Sequence, residues 1–342
     1  MQTLTLSTQS DNLFYGESGH GIARYDQVRY PVFSKMNENM QAFFWRPVEI
    51  DMSMEKKDFN RMTEAEQFVF TSNLRRQIVL DSIQGRAPSL AFLPLCTDPA
   101  LENCILTWSF FESIHSESYT HIIRSIYPDP SYVFDGIPDV REIADCATSI
   151  TTAYDQLQAN PSKENLYLAL MSANALEALR FYVSFACTFS FAERGLVEGS
   201  AKIVRLIARD ENLHLSLVRA ILKALPKDDP EFVQIAKDLM PQAKAIFKET
   251  AEQEKEWAKY LFSKGAVLGL SENILCRYVD YLLDRRLNSI GLKSSTAPEH
   301  PLPWVEKWFR SASVQVAAQE AELSSYLSNN VVDDVADTEF KL

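Results

Sequence analysis

The sequence predicts an all-α protein, and three observations carry that reading. Only 10 glycines are spread over 342 residues. Helix-forming residues dominate from Asn60 to Arg285. Apolar residues recur there at steps of three and four, the spacing of one helical face. With 46% of its residues hydrophobic, the chain can bury a large core.

In chain order, residues 1–30 are polar and irregular and read as an N-terminal extension. A Phe43-Phe44-Trp45-Arg46-Pro47 cluster follows within a helical domain spanning 31–316. Helices are predicted at 61–85, 100–127, 140–158, 163–192, 196–224, 230–262 and 271–290. Breaks fall at Gly85 with Pro88, Pro128 with Pro130, Asn160-Pro161, Gly195, Pro226 and Gly265, where glycine or proline chemistry ends a helix. Residues 317–342 are acidic and carry no useful helical stripe, so they read as a flexible tail. Phe340 and Leu342 at its end are suited to anchoring a partner.

Composition excludes several occupations. A net charge of -12 argues against binding a phosphate backbone, so nucleic acid is not an expected partner. Five cysteines without a C-x-x-C string make neither a disulfide framework nor a zinc site, and they suit a reducing cytoplasm. The first residues lack the basic and apolar regions of a signal peptide. The longest strongly apolar run, 181–192, is too short to span a bilayer, so no membrane association is expected.

Two strings, Glu112-x-x-His115 and Glu211-x-x-His214, each put a carboxylate and an imidazole one turn apart on one helical face. Both interrupt apolar stripes. Ile105, Trp108, Glu112, His115, Tyr119, Ile122 and Ile126 form the first, and Val204, Ile207, Glu211, His214, Val218 and Ile221 the second. Asp81 follows Leu74 and Ile78 on a core face, and Glu177 lies among Leu170, Ala173, Phe181 and Ser184. Carboxylates aimed into a core are costly unless paired or bound to metal. Two Glu-x-x-His pairs plus one carboxylate from each of two further helices is the ligand pattern of ferritin-like bundles with a buried dinuclear metal-carboxylate site. The predicted ligands are therefore Asp81, Glu112, His115, Glu177, Glu211 and His214. Four carboxylates balance two divalent ions, and hard-to-borderline donors without thiolate favour iron or manganese. Tyr119, one turn beyond the first pair, suggests radical chemistry.

Beyond spacing, the chain resembles the small, radical-generating β subunit of class I ribonucleotide reductase, most closely its bacterial and phage class Ia branch. The resemblance is carried by FFWRP (43–47), SNLRRQIVLDSIQGR (72–86), WSFFESIHSESYTHIIR (108–124), LMSANALEALRFYVSFAC (170–187), AKIVRLIARDENLHL (201–215) and VQVAAQEAELSSYL (314–327). It implies that Asp81, Glu112 and His115 hold one metal and Glu177, Glu211 and His214 the other, with Glu112 and Glu211 bridging. Two Fe ions per chain are implied, with Mn the alternative. Tyr119 would carry the stable radical, shielded by Phe181, Phe185 and Ile207. Trp45 and Asp210 would link His115 to the outside for electron and radical transfer, and Glu320 and Tyr326 would continue that path in the tail. The implied partners are O2, a second copy in a homodimer, and the large (α) subunit docked by the tail.

Each residue also has a plainer reading. Tyr119 and Trp45 could be core packing, Asp210 could pair with Arg209 or Arg205, and Tyr326 could be an ordinary tail residue. Two other classes share the bundle: oxygenases and desaturases acting on an external substrate, and metal-storage proteins. Asp81, Tyr119 and the SSYL string weigh against the first, and chain length against the second. His20, His121 and His300 are assigned no role.

Overall fold

A computed structural model describes residues 11–16, 22–292 and 297–309. The helices are α1 (Pro31–Ala42), α2 (Glu55–Phe59), α3 (Glu64–Gln84), α4 (Pro99–Ile126), α5 (Ser131–Phe134), α6 (Arg141–Ala159), α7 (Lys163–Ala175), α8 (Tyr182–Ala192), α9 (Glu198–Asp228), α10 (Glu231–Asp238), α11 (Met240–Leu261), α12 (Glu272–Ser289) and α13 (Glu306–Phe309). Among the described residues there is no strand, only two isolated bridges, Phe14 with Cys96 and Val267 with Leu270. None of the helices is long and apolar enough to cross a membrane.

Local chemistry sets where these helices start. Thr63 and Glu66 form a reciprocal capping box at α3. Asp98 caps α4, with Pro99 at its first position, and Ser162 and Ser271 cap α7 and α12. In the bundle, α3 packs on α4 and α8, α4 on α9, and α9 on α7 and α8. Both predicted stripes are buried along their whole length. A fully buried Arg76–Glu254 ion pair ties α3 to α11, and the Arg76 guanidinium lies 4.7 Å from the Trp257 ring centroid.

The longest helix, α9, is held at its N-terminus by another element. Val197 adopts φ 48°, a left-handed conformation that is strained for a β-branched residue. Its N–H donates to Asp58 Oδ2 at 3.2 Å, and Gly199 N–H donates to Glu55 Oε1 at 2.9 Å. Ser200 Oγ donates to the other Glu55 oxygen. A Cβ at Gly199 would stand 2.6 Å from the Asp51 carbonyl oxygen, so only glycine permits this approach. Glu55→Ala is expected to lower stability by about 1–3 kcal/mol, because it orphans buried donors. Chemical denaturation of the metal-free chain measures it.

Three predicted helices differ in the structure. The 163–192 stretch is α7 and α8 joined through a π-helical turn, Leu176–Arg180. The 230–262 stretch divides at Leu239 because Pro241 opens α11 and cannot continue α10. Pro226, expected as a stop, instead sits inside the last turns of α9, which runs on to Asp228. Helix α1 was not predicted, although Pro31 occupies a favourable N-terminal position.

Candidate metal centre

Four elements aim carboxylates or imidazoles at one point in the core. Asp81 comes from α3, Glu112 and His115 from α4, Glu177 from the π turn, and Glu211 and His214 from α9; all are at 0% exposure. A π turn adds a residue to the helical repeat and re-aims the side chains it carries. Ligand atoms of Asp81, Glu112, His115 and Glu211 lie within 4.8 Å of one another, and so do those of Glu112, Glu177, Glu211 and His214. Glu112 and Glu211 belong to both groups.

The two shared carboxylates divide their oxygens between the imidazoles. Glu112 Oε1 is 3.1 Å from His214 Nδ1 and its Oε2 is 3.5 Å from His115 Nδ1. Glu211 Oε2 is 3.1 Å from His214 Nδ1 and its Oε1 is 3.1 Å from His115 Nδ1. His115 Nε2 turns away, 3.2 Å from Asp210 Oδ2. An Nε2–H tautomer would donate to Asp210 and leave the Nδ1 lone pair for the centre.

The electrostatics identify what this cluster is built to hold. Both oxygens of Asp81, Glu112 Oε2, Glu177 Oε2 and Glu211 Oε1 are buried against one another, His115 and Tyr119, with no amide or backbone N–H donating to them. Burial, then the neighbouring carboxylates, push Asp81 and Glu177 well above the usual carboxylate range. Burial also acts to raise Glu211, but contacts with Glu177, His115 and His214 outweigh it and hold that carboxyl low. For His214, burial lowers the pKa and contacts with Glu112 and Glu211 overcome it, raising the imidazole to about 9. Carboxylates crowded this way ionise together only with compensating positive charge. Two divalent ions supply it, and the donor set fits them: oxygen and imidazole nitrogen, with no thiolate. The six residues fit a dinuclear metal centre.

Around it, Tyr119 is fully buried and its hydroxyl faces the Asp81 carboxylate. Burial, with the Asp81 carboxylate adding to it, raises its pKa well above 10 and keeps the phenol neutral. Phe181, Phe185 and Ile207 are also fully buried, the two rings stacked at 5.6 Å. On the far side of His115, the buried Trp45 Nε1 donates to Asp210 Oδ2 at 2.8 Å. Asp210 Oδ1 accepts from Arg209 Nε at 3.1 Å, so Asp210 makes the ordinary ion pair as well as the link to His115.

Residues 23–296 match the family model described as ribonucleotide reductase, small chain. The chain belongs to this family. It is 45% identical over 359 residues to the ribonucleoside-diphosphate reductase 1 subunit beta of Escherichia coli O157:H7, covering 96% of this chain and 95% of that one. It is 42% identical over 366 residues to the subunit beta of Enterobacteria phage T4, covering 96% and 94%. In fold it superposes on the ribonucleotide reductase R2 subunit from Clostridium botulinum with a TM-score of 0.83 at 23% identity, covering 91% of this chain and 99% of that one. It is a small subunit of ribonucleoside-diphosphate reductase, an oxidoreductase, and radical generation is the role of the family. That membership sets aside the oxygenase and storage readings.

The reductase small chain also has site neighbours that sequence reasoning did not single out. Gln84 Nε2 donates to Glu177 Oε1 at 2.7 Å, and the Tyr154 hydroxyl donates to Gln84 Oε1 at 2.9 Å. Trp108 Nε1 donates to Glu112 Oε1 at 3.0 Å. Gln84 stands three residues after Asp81, on the same face of α3, and that spacing was the available signal. A third Glu-x-x-His string, Glu17 to His20, was also passed over; it has no apolar stripe and lies outside the described residues. Glu320, Tyr326, Phe340 and Leu342 lie outside them too.

Proposed function

We propose that this chain generates a stable radical on Tyr119 and delivers its oxidising equivalent to a large subunit, which reduces the ribonucleotide. The observation that carries the reading is the pair of carboxylates, Glu112 and Glu211, each split between two imidazoles, with a buried phenol one turn beyond His115. Asp81, Glu112 and His115 would hold one metal and Glu177, Glu211 and His214 the other, Glu112 and Glu211 bridging. Iron is the proposed metal; the donor set accepts manganese as well. When bound, the reduced metal pair would supply part of the electrons that reduce O2 and the oxidising power to take one electron from Tyr119, the remaining electron coming from an external reductant.

The protein's own part is control of the phenol. Burial and the adjacent Asp81 carboxylate hold Tyr119 protonated, so losing an electron must be coupled to losing the phenolic proton. Phe181, Phe185 and Ile207 keep the neutral radical from water and reductants. Trp45, Asp210 and His115 form a hydrogen-bonded path out of the centre, and Asp210 fixes the His115 tautomer. Glu320 and Tyr326 would extend that path across the interface with the large subunit, which the acidic tail docks.

For the homodimer, the supporting surface is on α4. Leu106 and Phe110 are 48% and 50% exposed, and Phe44 stacks on Phe110 at 6.0 Å. The five free cysteines support a reducing, cytoplasmic setting. A chain ending at residue 316 tests the division of labour. It should form the Tyr119 radical normally and lose nucleotide reduction with saturating large subunit, read by product formation. Full reduction by the truncated chain would overturn the role given to the tail.

A further inference from the structure

We propose that Gln84 and Tyr154 are positioning residues of the metal centre, pinning one oxygen of Glu177 so that this side chain ligates with the other oxygen alone. The proposal rests on Glu177 being a ligand. The carboxylate of Glu177 is asymmetric: Oε1 accepts from Gln84 Nε2 at 2.7 Å, whereas Oε2 is buried without a partner and is the oxygen free for the centre. Asp81, at the equivalent place for the other ion, has no amide donating to either oxygen, and its neighbour is the Tyr119 hydroxyl. One ion would therefore face a carboxylate with neither oxygen held by an amide, and the other a carboxylate already committed at one oxygen.

Gln84 alone could not enforce this, since a primary amide presents its oxygen or its nitrogen with a simple flip. An ionised Glu177 accepts only and so selects Nε2, and Tyr154 steadies the amide in that orientation. Its hydroxyl donates to Gln84 Oε1 at 2.9 Å, which turns Nε2 toward Glu177. The Tyr154 ring is in turn set edge-on against Phe92, with centroids 5.8 Å apart. Gln84 is at 0% and Tyr154 at 3% exposure, so water is not a ready substitute for either partner. A donor locked onto one oxygen keeps the Glu177 side of the centre from being closed by chelation, leaving coordination space there for an incoming small molecule.

The test is a titration of the metal-free full-length chain with Mn(II) alone, following the six-line electron paramagnetic resonance signal of unbound ion. Gln84→Leu and Tyr154→Phe are compared with wild type, and the latter removes one hydroxyl while keeping the ring in place. Each should weaken one of two ions, Gln84→Leu by about 10–100-fold and Tyr154→Phe by less, with the other ion bound within about 3-fold of wild type. Metal-minus-apo infrared difference spectra should show the carboxylate stretching pattern of one-oxygen ligation in wild type and its partial loss in both variants. Equal weakening of both ions by Tyr154→Phe, or an unchanged infrared pattern, would overturn the proposal. Glu177→Ala separates the two levels: two ions still bound at wild-type affinity would overturn the ligand assignment itself.

Discussion

Glu211→Ala is expected to cost the chain both metal ions, not one. The Glu211 oxygens stand 3.1 Å from both His115 and His214, and Glu112, the other carboxylate facing both, is already committed to its own place. In tetrahedral zinc sites four ligands share about 10–16 kcal/mol, which makes one ligand worth roughly 3 kcal/mol per ion. A bridging carboxylate removed from two ions should weaken each by about 100-fold. Asp81→Ala, which touches only one of the two ligand groups, should weaken one ion and leave the other near wild type. Metal stoichiometry after passage through a desalting column distinguishes them. If Glu211→Ala and Asp81→Ala behave alike, the shared-carboxylate geometry is wrong.

Asp210→Asn is the second large effect, and it should fall on nucleotide reduction while two metals remain bound. Asp210 Oδ2 accepts from Trp45 and faces His115 Nε2, while Oδ1 accepts from Arg209 Nε. An asparagine has one acceptor and one donor end. With its oxygen toward Trp45 and His115, its amide meets the Arg209 N–H; flipped, it meets the other two donors. Either orientation sets donor against donor in a buried place, and the link to His115 is broken or misaligned. Trp45→Phe keeps the ring and deletes the Nε1 donor, which isolates the same link from the other side. Each variant should lose nucleotide reduction by about 100-fold or more in the presence of saturating large subunit. A loss that tracks metal loss would mean that Asp210 only supports the fold.

The sequence made the buried carboxylate cluster legible because charge in an apolar stripe is energetically loud. Asp81, Glu112, Glu177 and Glu211 each break a run of core residues, and only a partner or an ion makes that tolerable. Gln84 and Tyr154 break their runs quietly: an uncharged amide and a phenol are ordinary near a core, and their pairing joins α3 to α6 across 70 positions. The same separation hid the grip of Glu55 and Asp58 on α9, since the side chains that satisfy its first N–H groups come from about 140 residues earlier. The π turn at Glu177 was illegible for a different reason. A three-four stripe continues through Ala173, Glu177 and Phe181 whether or not the turn between them widens. Proline misled twice, because Pro226 falls late enough in α9 to be absorbed, while Pro241 falls where one helix must end and the next begin.

If Tyr119 carries the radical, replacing it by phenylalanine removes the signal and nothing else. Metal-free wild type and Tyr119→Phe are loaded anaerobically with Fe(II), exposed to O2, and frozen for electron paramagnetic resonance. Wild type should give a tyrosyl signal, and the variant should bind the same iron and consume O2 without giving that signal. A tyrosyl signal of undiminished size in Tyr119→Phe, or none from wild type that has taken up two irons and consumed O2, would contradict it.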